Sequence, residues 1–168
     1  FFHIFNHGMM KGLAFLSAGA LLYGLKLYRG NHDPLVISDL AGAANRYPLP
    51  ALAYSIAVLG LGGLPPLAGF MSKLQIFKAG FVSQDIFIIC LVLFGALNSV
   101  ISLAYYAPMV NMLYRNRPGA LVVSGAKIPT TMMIPLGVLT GLVVLLGFWP
   151  GFMDWLVQPA SFSLLAGF

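Results

Sequence analysis

The chain has 168 residues, is 60% hydrophobic with a mean hydropathy of +0.91, and carries only 8% Asp, Glu, Lys and Arg, about a third of the share in soluble domains. That composition excludes a disordered tail and a soluble globular fold, and the single cysteine, Cys90, excludes a disulfide scaffold. Nine bases against four acids (Asp33, Asp39, Asp85, Asp154) give a net charge of +5; in so apolar a chain this excess reads as loops facing an anionic leaflet, and no basic cluster interleaved with aromatics points to nucleic acid.

A spanning helix needs about 20 mainly apolar residues. The first segment, predicted as a helix over about 3–26, is interrupted between His3 and Leu25 by one charge, Lys11. Three further runs, 47–72, 86–114 and 128–153, carry none. No period-2 alternation marks a barrel, so the fold class is all-α, a polytopic transmembrane helix bundle. The chain starts on Phe1 and enters a helix at once, without a basic n-region or cleavage site, so it reads as beginning inside a longer polypeptide and not as a signal peptide.

Two basic connections follow the first and third helices. Lys26, Arg29, Arg46, His32, Asp33 and Asp39 belong to one; Arg115, Arg117 and Lys127 belong to the other. The positive-inside rule puts both on one face of the membrane, so an even number of crossings separates them. One is predicted at about 49–69. The next 45 residues, 70–114, then supply a single crossing, predicted as a helix broken near Val82–Asp85 into pieces 71–82 and 85–114. A last helix over 129–150 makes about four crossings, with Trp149 and Trp155 as interfacial aromatics. Ser38-Asp39-Leu40-Ala41-Gly42 reads as a capped turn or short interfacial helix, and Pro48 and Pro50 suit a helix start.

The first helix carries the clearest chemical signal. His3, His7 and Lys11 are spaced by four, so they lie on one face about 6 Å apart. Imidazole accepts on one nitrogen while donating from the other, and a desolvated lysine can lose and regain its proton, so the trio reads as a proton relay. Asn6 and Ser17 are candidates to hold water beside it. The plainer alternative has the histidines at the interface and Lys11 snorkelling. Counted from Lys26, however, Lys11 lies 15 residues deep, about 22 Å at helical rise, well inside a core of about 30 Å. His at i and i+4 is also a zinc spacing, but no third ligand is near, so no metal and no cofactor is expected.

The second signal runs from Gly60 to Lys73. Gly62, Gly63, Pro65, Pro66 and Gly69 break the helix. Irregular backbone at membrane depth is tolerated where it is buried in protein or lines a cavity. Lys73 on such a break reads either as an ion or proton site or as a solvated lysine at a re-entrant turn. A softer polar seam of Asn98, Ser99, Ser102, Tyr105 and Tyr106 carries either a water wire through Asn98 and Ser102 or ordinary interhelical hydrogen bonds, the second being favoured. Pro108 should kink that helix, Gly137 and Gly141 serve packing, and Cys90 reads as a small buried apolar residue.

Taken together, His3-Ile-Phe-Asn-His7-Gly-Met-Met-Lys11, Ser38-Asp-Leu-Ala-Gly42, Arg46-Tyr-Pro48 and Gly62-Gly-Leu-Pro-Pro-Leu-Ala-Gly-Phe-Met-Ser-Lys73 resemble the antiporter-like membrane subunits of respiratory complex I, related hydrogenases and multi-subunit Na+/H+ antiporters. The resemblance covers about the first 115 residues. It implies a bundle of about fourteen helices built from two inverted repeats, each with a broken helix, of which this chain is most of the second. It implies that His3, His7 and Lys11 connect a hydrophilic axis to Lys73 as the terminal proton-exchanging residue. The family's central lysine and the glutamate–lysine pair of its first repeat do not occur in this sequence. The expected function is proton translocation within a redox-driven complex, with other membrane-arm subunits and lipid as partners, in a bacterial or archaeal plasma membrane or an organellar inner membrane. A subunit of a standalone Na+/H+ antiporter is the alternative, with Na+ in place of or beside H+.

Overall fold

The computed structural model describes residues 1–29 and 36–153. His32, Asp33, Asp154 and Trp155, named above, lie outside the described residues. Among those described there are helices and no strands. Helix α1 spans Phe2–Arg29, α2 Pro48–Gly62, α3 Ala68–Val82, α4 Ile86–Leu113, α5 Ala120–Ser124 and α6 Thr130–Phe148. Short 3-10 turns occupy Ile37–Leu40, Ala43–Asn45 and Pro150–Met153. Among the described residues three helices are long and apolar enough to cross a membrane: α1 over Phe2–Lys26, α4 and α6.

Cross-helix contacts fix the directions. Along α1, Gly24 lies against Tyr47, Met10 against Gly60, Asn6 at Ala68 and His3 at Ser72. One straight helix therefore runs antiparallel to α2 and then to α3, and those two continue in the same direction. Along α4, Val92 packs on Gly80, Ser99 meets Lys73, Leu103 meets Gly62 and Met109 meets Tyr54. So α4 also runs antiparallel to α3 and then to α2.

This corrects the expected division of the chain. The helix predicted over 49–69 stops at Gly62, and the pieces 71–82 and 85–114 are not one broken crossing but an antiparallel hairpin. The discontinuity lies at 63–67, between two helices of 15 residues each. Its cause is chemical. Gly63 takes a left-handed φ of 89° and closes α2, a conformation with little cost only for glycine. Pro65 and Pro66 then supply no amide to continue the ladder. The reversal at 83–85 has no glycine or proline to announce it. Ser83 Oγ donates to the Gly80 carbonyl, Gln84 turns through a φ of 56°, and Asp85 caps α4 by accepting from the Phe87 amide at 2.8 Å.

The basic connections meet at one end of the bundle. Asn45 donates to the Arg115 carbonyl at 3.2 Å, and Gly42 N–H to Met112 O at 3.0 Å. Arg46 forks onto the Gly125 carbonyl through Nε and Nη2 at 3.1 and 2.7 Å. Tyr47 fills the gap between Gly24 and Gly125 and donates its hydroxyl to Ala126 O at 2.8 Å. Asp39 accepts from the Val36 amide at 3.1 Å beside the 3-10 turn Ile37–Leu40. Residues 41–47 and 112–126 are thus sewn into one interfacial layer, as the clustering of positive charge requires.

The core lies between α1, α2 and α6, with Met10, Leu13, Leu21, Leu25, Leu136, Val143 and Leu146 buried. By contrast α4 buries only Val92 and Leu113. Much of its remaining surface is exposed and largely apolar, and Cys90 is exposed there, against the expectation of burial; among the described residues the start of α4 packs on α3. Both α4 and α6 continue through an internal proline, Pro108 and Pro135.

Candidate functional site

The site forms where α2 ends and α3 begins. In an unbroken helix the Leu61 carbonyl would accept from the amide of residue 65. Pro65 has none, so that acceptor is left over. The Lys73 side chain curls back from α3 and donates to it, with Nζ 2.8 Å from Leu61 O. Its aliphatic stem passes over Gly63, where a Cβ would stand 3.4 Å from both Cδ and Nζ. A second bond runs across to α4, where Ser99 Oγ lies 3.0 Å from Nζ. Ser99 donates in turn to Gly95 O at 3.1 Å, and Ser102 to Ser99 O at 2.7 Å. The lysine is half-buried and bridges three helices.

Close approach of the two half-helices depends on small residues. A Cβ on Gly69 would collide with the Gly60 carbonyl, and one on Gly62 would sit 2.7 Å from Leu103 Cδ1. Met10, 1% exposed, wedges its thioether between Gly60 and Gly69, the kind of irregular gap that methionine fills. The end of α6 seals the other side, with Gly147 against the backbone of Pro66, Leu67 and Ala68.

From α1, His3 Nδ1 lies 2.9 Å from Ser72 Oγ, and that hydroxyl also reaches Gly69 O at 3.1 Å. His7 stacks obliquely next to His3, ring centroids 5.7 Å apart. Asn6 is fully buried, extends its amide toward Ala68 O at 3.5 Å, and leaves Oδ1 unpartnered at the break.

The sequence-predicted residues are therefore brought together only in part. His3 reaches α3 through Ser72, the residue next to Lys73 in the chain. His7 touches His3. Lys11 is exposed on the outer surface of α1 and is not joined to Lys73 within the described residues. Gly62, Gly63, Pro65, Pro66 and Gly69 lie in or flank the break itself. Asn98 is exposed and Ser102 bonds back to its own helix, while Ser99 of the same seam faces the lysine. Ser17 likewise bonds to its own helix, at Leu13 O. The contributions of Ser72 and of the Leu61 carbonyl were missed by sequence reasoning. The second had a signal, since a proline at 65 orphans the carbonyl at 61. Among the described residues no three His, Cys, Asp or Glu side chains converge as metal ligands.

An all-helical membrane protein with a jointed helix carrying a lysine is the class this geometry defines. More particularly, the chain belongs to the NADH:quinone oxidoreductase/Mrp antiporter transmembrane family, whose model matches residues 1–102. It is an integral protein of an energy-coupling membrane. It is 33% identical over 146 residues to F(420)H(2) dehydrogenase subunit N of Methanosarcina mazei, covering 86% of this chain and 29% of that protein. It is 34% identical over 145 residues to NADH-quinone oxidoreductase subunit N 1 of Sorangium cellulosum, covering 82% and 27%. Over 82 residues it is 46% identical to NAD(P)H-quinone oxidoreductase subunit 2 of Synechocystis, covering 49% and 15%. The matched stretch thus spans less than a third of each relative.

Proposed function

We propose that this chain forms part of the proton path of an antiporter-like subunit in a redox-driven membrane complex, with Lys73 as the group that takes up and releases the proton. The observation that carries this reading is the placement of the Lys73 amine on the orphaned Leu61 carbonyl at a helix discontinuity. A lysine held there by neutral groups alone is costly to keep charged and is able to exchange its proton with hydrated neighbours. His3 approaches from α1 through Ser72, with His7 behind it, so imidazoles and a hydroxyl stand on the approach to α3. Lys11 continues the His3–His7 line and is assigned to the same path, facing other parts of the subunit. In this reading α2 and α3 together make one crossing, and with α1, α4 and α6 the chain crosses four times. In this reading protons move by hydration and electrostatics, and electron transfer belongs to other subunits of the complex.

The three relatives named are subunits of dehydrogenases or quinone oxidoreductases, which favours a redox-driven complex, with its other membrane subunits as partners, over a standalone Na+/H+ antiporter. The test is Lys73→Ala in the intact complex, in sealed inverted vesicles, with proton uptake followed by a pH-sensitive dye. Pumping is expected to disappear while the complex still assembles and still oxidises its donor. Retained pumping overturns the assignment. Co-purification of flavin or iron–sulfur subunits separates the redox complex from the antiporter.

A further inference from the structure

We infer that Ser99 of α4 is the positioning residue that holds Lys73 in both of its protonation states. The inference rests on the reading of Lys73 as the exchanging group. The two partners of the Lys73 nitrogen differ in kind. Leu61 O, at 2.8 Å, only accepts. Ser99 Oγ, at 3.0 Å, belongs to a hydroxyl that accepts and donates.

With the ammonium form, the Ser99 hydrogen points to Gly95 O, 3.1 Å away, and its lone pair receives the lysine N–H. Once the proton leaves, the amine has a lone pair of its own. A rotation about the Ser99 Cβ–Oγ bond then turns the hydroxyl hydrogen from Gly95 O to Nζ, while a remaining N–H stays on Leu61 O. The nitrogen keeps two partners throughout, and no heavy atom has to move. Atoms balance: the one proton that departs is the transported one, and the serine proton only changes acceptor.

Ser99 is fixed for this task. Its backbone carbonyl accepts from Ser102 Oγ at 2.7 Å, and Phe77 of α3 packs at Gly95, one turn along α4. The other groups on α4 next to it do not share the role, since Asn98 is exposed and Ser102 bonds within its helix. This makes α4 a participant in the exchange site and not only a wall.

The test compares Ser99→Thr with Ser99→Val in the intact complex. The two side chains have nearly the same shape and differ by the hydroxyl, so a merely structural role would move both alike. Pumping is expected to stay within about twofold in Ser99→Thr and to fall about tenfold in Ser99→Val, the size expected for one lost hydrogen bond to a charged group. Ser99→Ala, which adds no bulk, is the second variant and is expected to follow Ser99→Val. Equal pumping in the Thr and Val variants, or wild-type pumping in Ser99→Ala, overturns the inference. Lys73→Ala is run beside them: if it pumps, the proposed function has failed; if it does not and Ser99→Ala pumps normally, only the role of Ser99 has failed.

Discussion

Lys73 Nζ stands 2.8 Å from the carbonyl of Leu61, twelve residues earlier in the chain and on the other half-helix. The ammonium takes the place of the amide hydrogen that Pro65 lacks, so the residue proposed to carry the exchangeable proton also satisfies the last turn of α2. Pro65→Ala returns a competing donor at that position. Proton pumping by the intact complex in vesicles is expected to fall severalfold in this variant although Lys73 is retained.

A methyl group at Gly69 meets backbone: the Gly60 carbonyl lies inside contact distance, and Met10 Cε stands 3.1 Å away. Backbone yields little, so Gly69→Ala is expected to cost about 1–3 kcal/mol or more. Gly95→Ala is the control, since its nearest neighbour is Phe77 Cε1 at an ordinary 3.5 Å. Thermal unfolding of the detergent-extracted complex should show a clear loss for the first and little change for the second.

His3 and Ser72 make the link between α1 and α3, 2.9 Å apart. Glutamine at position 3 can keep that hydrogen bond but cannot take up and pass on a proton. His3→Gln is therefore expected to assemble normally and to lose most of its pumping. Wild-type pumping in the His3→Gln complex would remove His3 from the path.

The interfacial layer depends on Tyr47, whose hydroxyl donates to Ala126 O at 2.8 Å. Tyr47→Phe leaves the ring between Gly24 and Gly125 and removes one hydrogen bond, at a cost of about 1 kcal/mol. A small fall in melting temperature with unchanged pumping is the expected outcome.

Composition made the helical membrane fold legible, because runs of about 20 apolar residues have few other uses. The break was legible in Gly63, Pro65 and Pro66, whose backbone restrictions are local. The way the chain folds around it was not. Parity of charge requires one even count between the basic connections, and the broken pair plus α4 satisfies it as well as the expected division did. What separates the two is the turn at Ser83-Gln84-Asp85, where a hydrogen bond donated by the serine hydroxyl and one accepted by the aspartate carboxylate do the work that glycine or proline would have signalled. Helical spacing aligned His3, His7 and Lys11 correctly on one face, yet spacing within one helix does not say which neighbour that face meets. The link from Ser72 to His3, and which member of the polar seam meets Lys73, became visible only once α1 and α4 were laid against α3. Cys90 was expected inside because cysteine usually is; its helix has only one neighbour at that level within the described residues.

α1 is an unbroken rod of 28 residues laid along a hinged one. At one end it is tethered, since Ala126 N–H donates to Gly24 O at 2.8 Å and Tyr47 is wedged beside it. At the other it meets the far half through Met10 at Gly69 and through two polar links, His3 to Ser72 and Asn6 to Ala68. Rotation of α3 about residues 63–67 would open or close the His3–Ser72 gap first and disturb the basic end last, so mechanical motion and proton traffic would meet at the same pair of side chains.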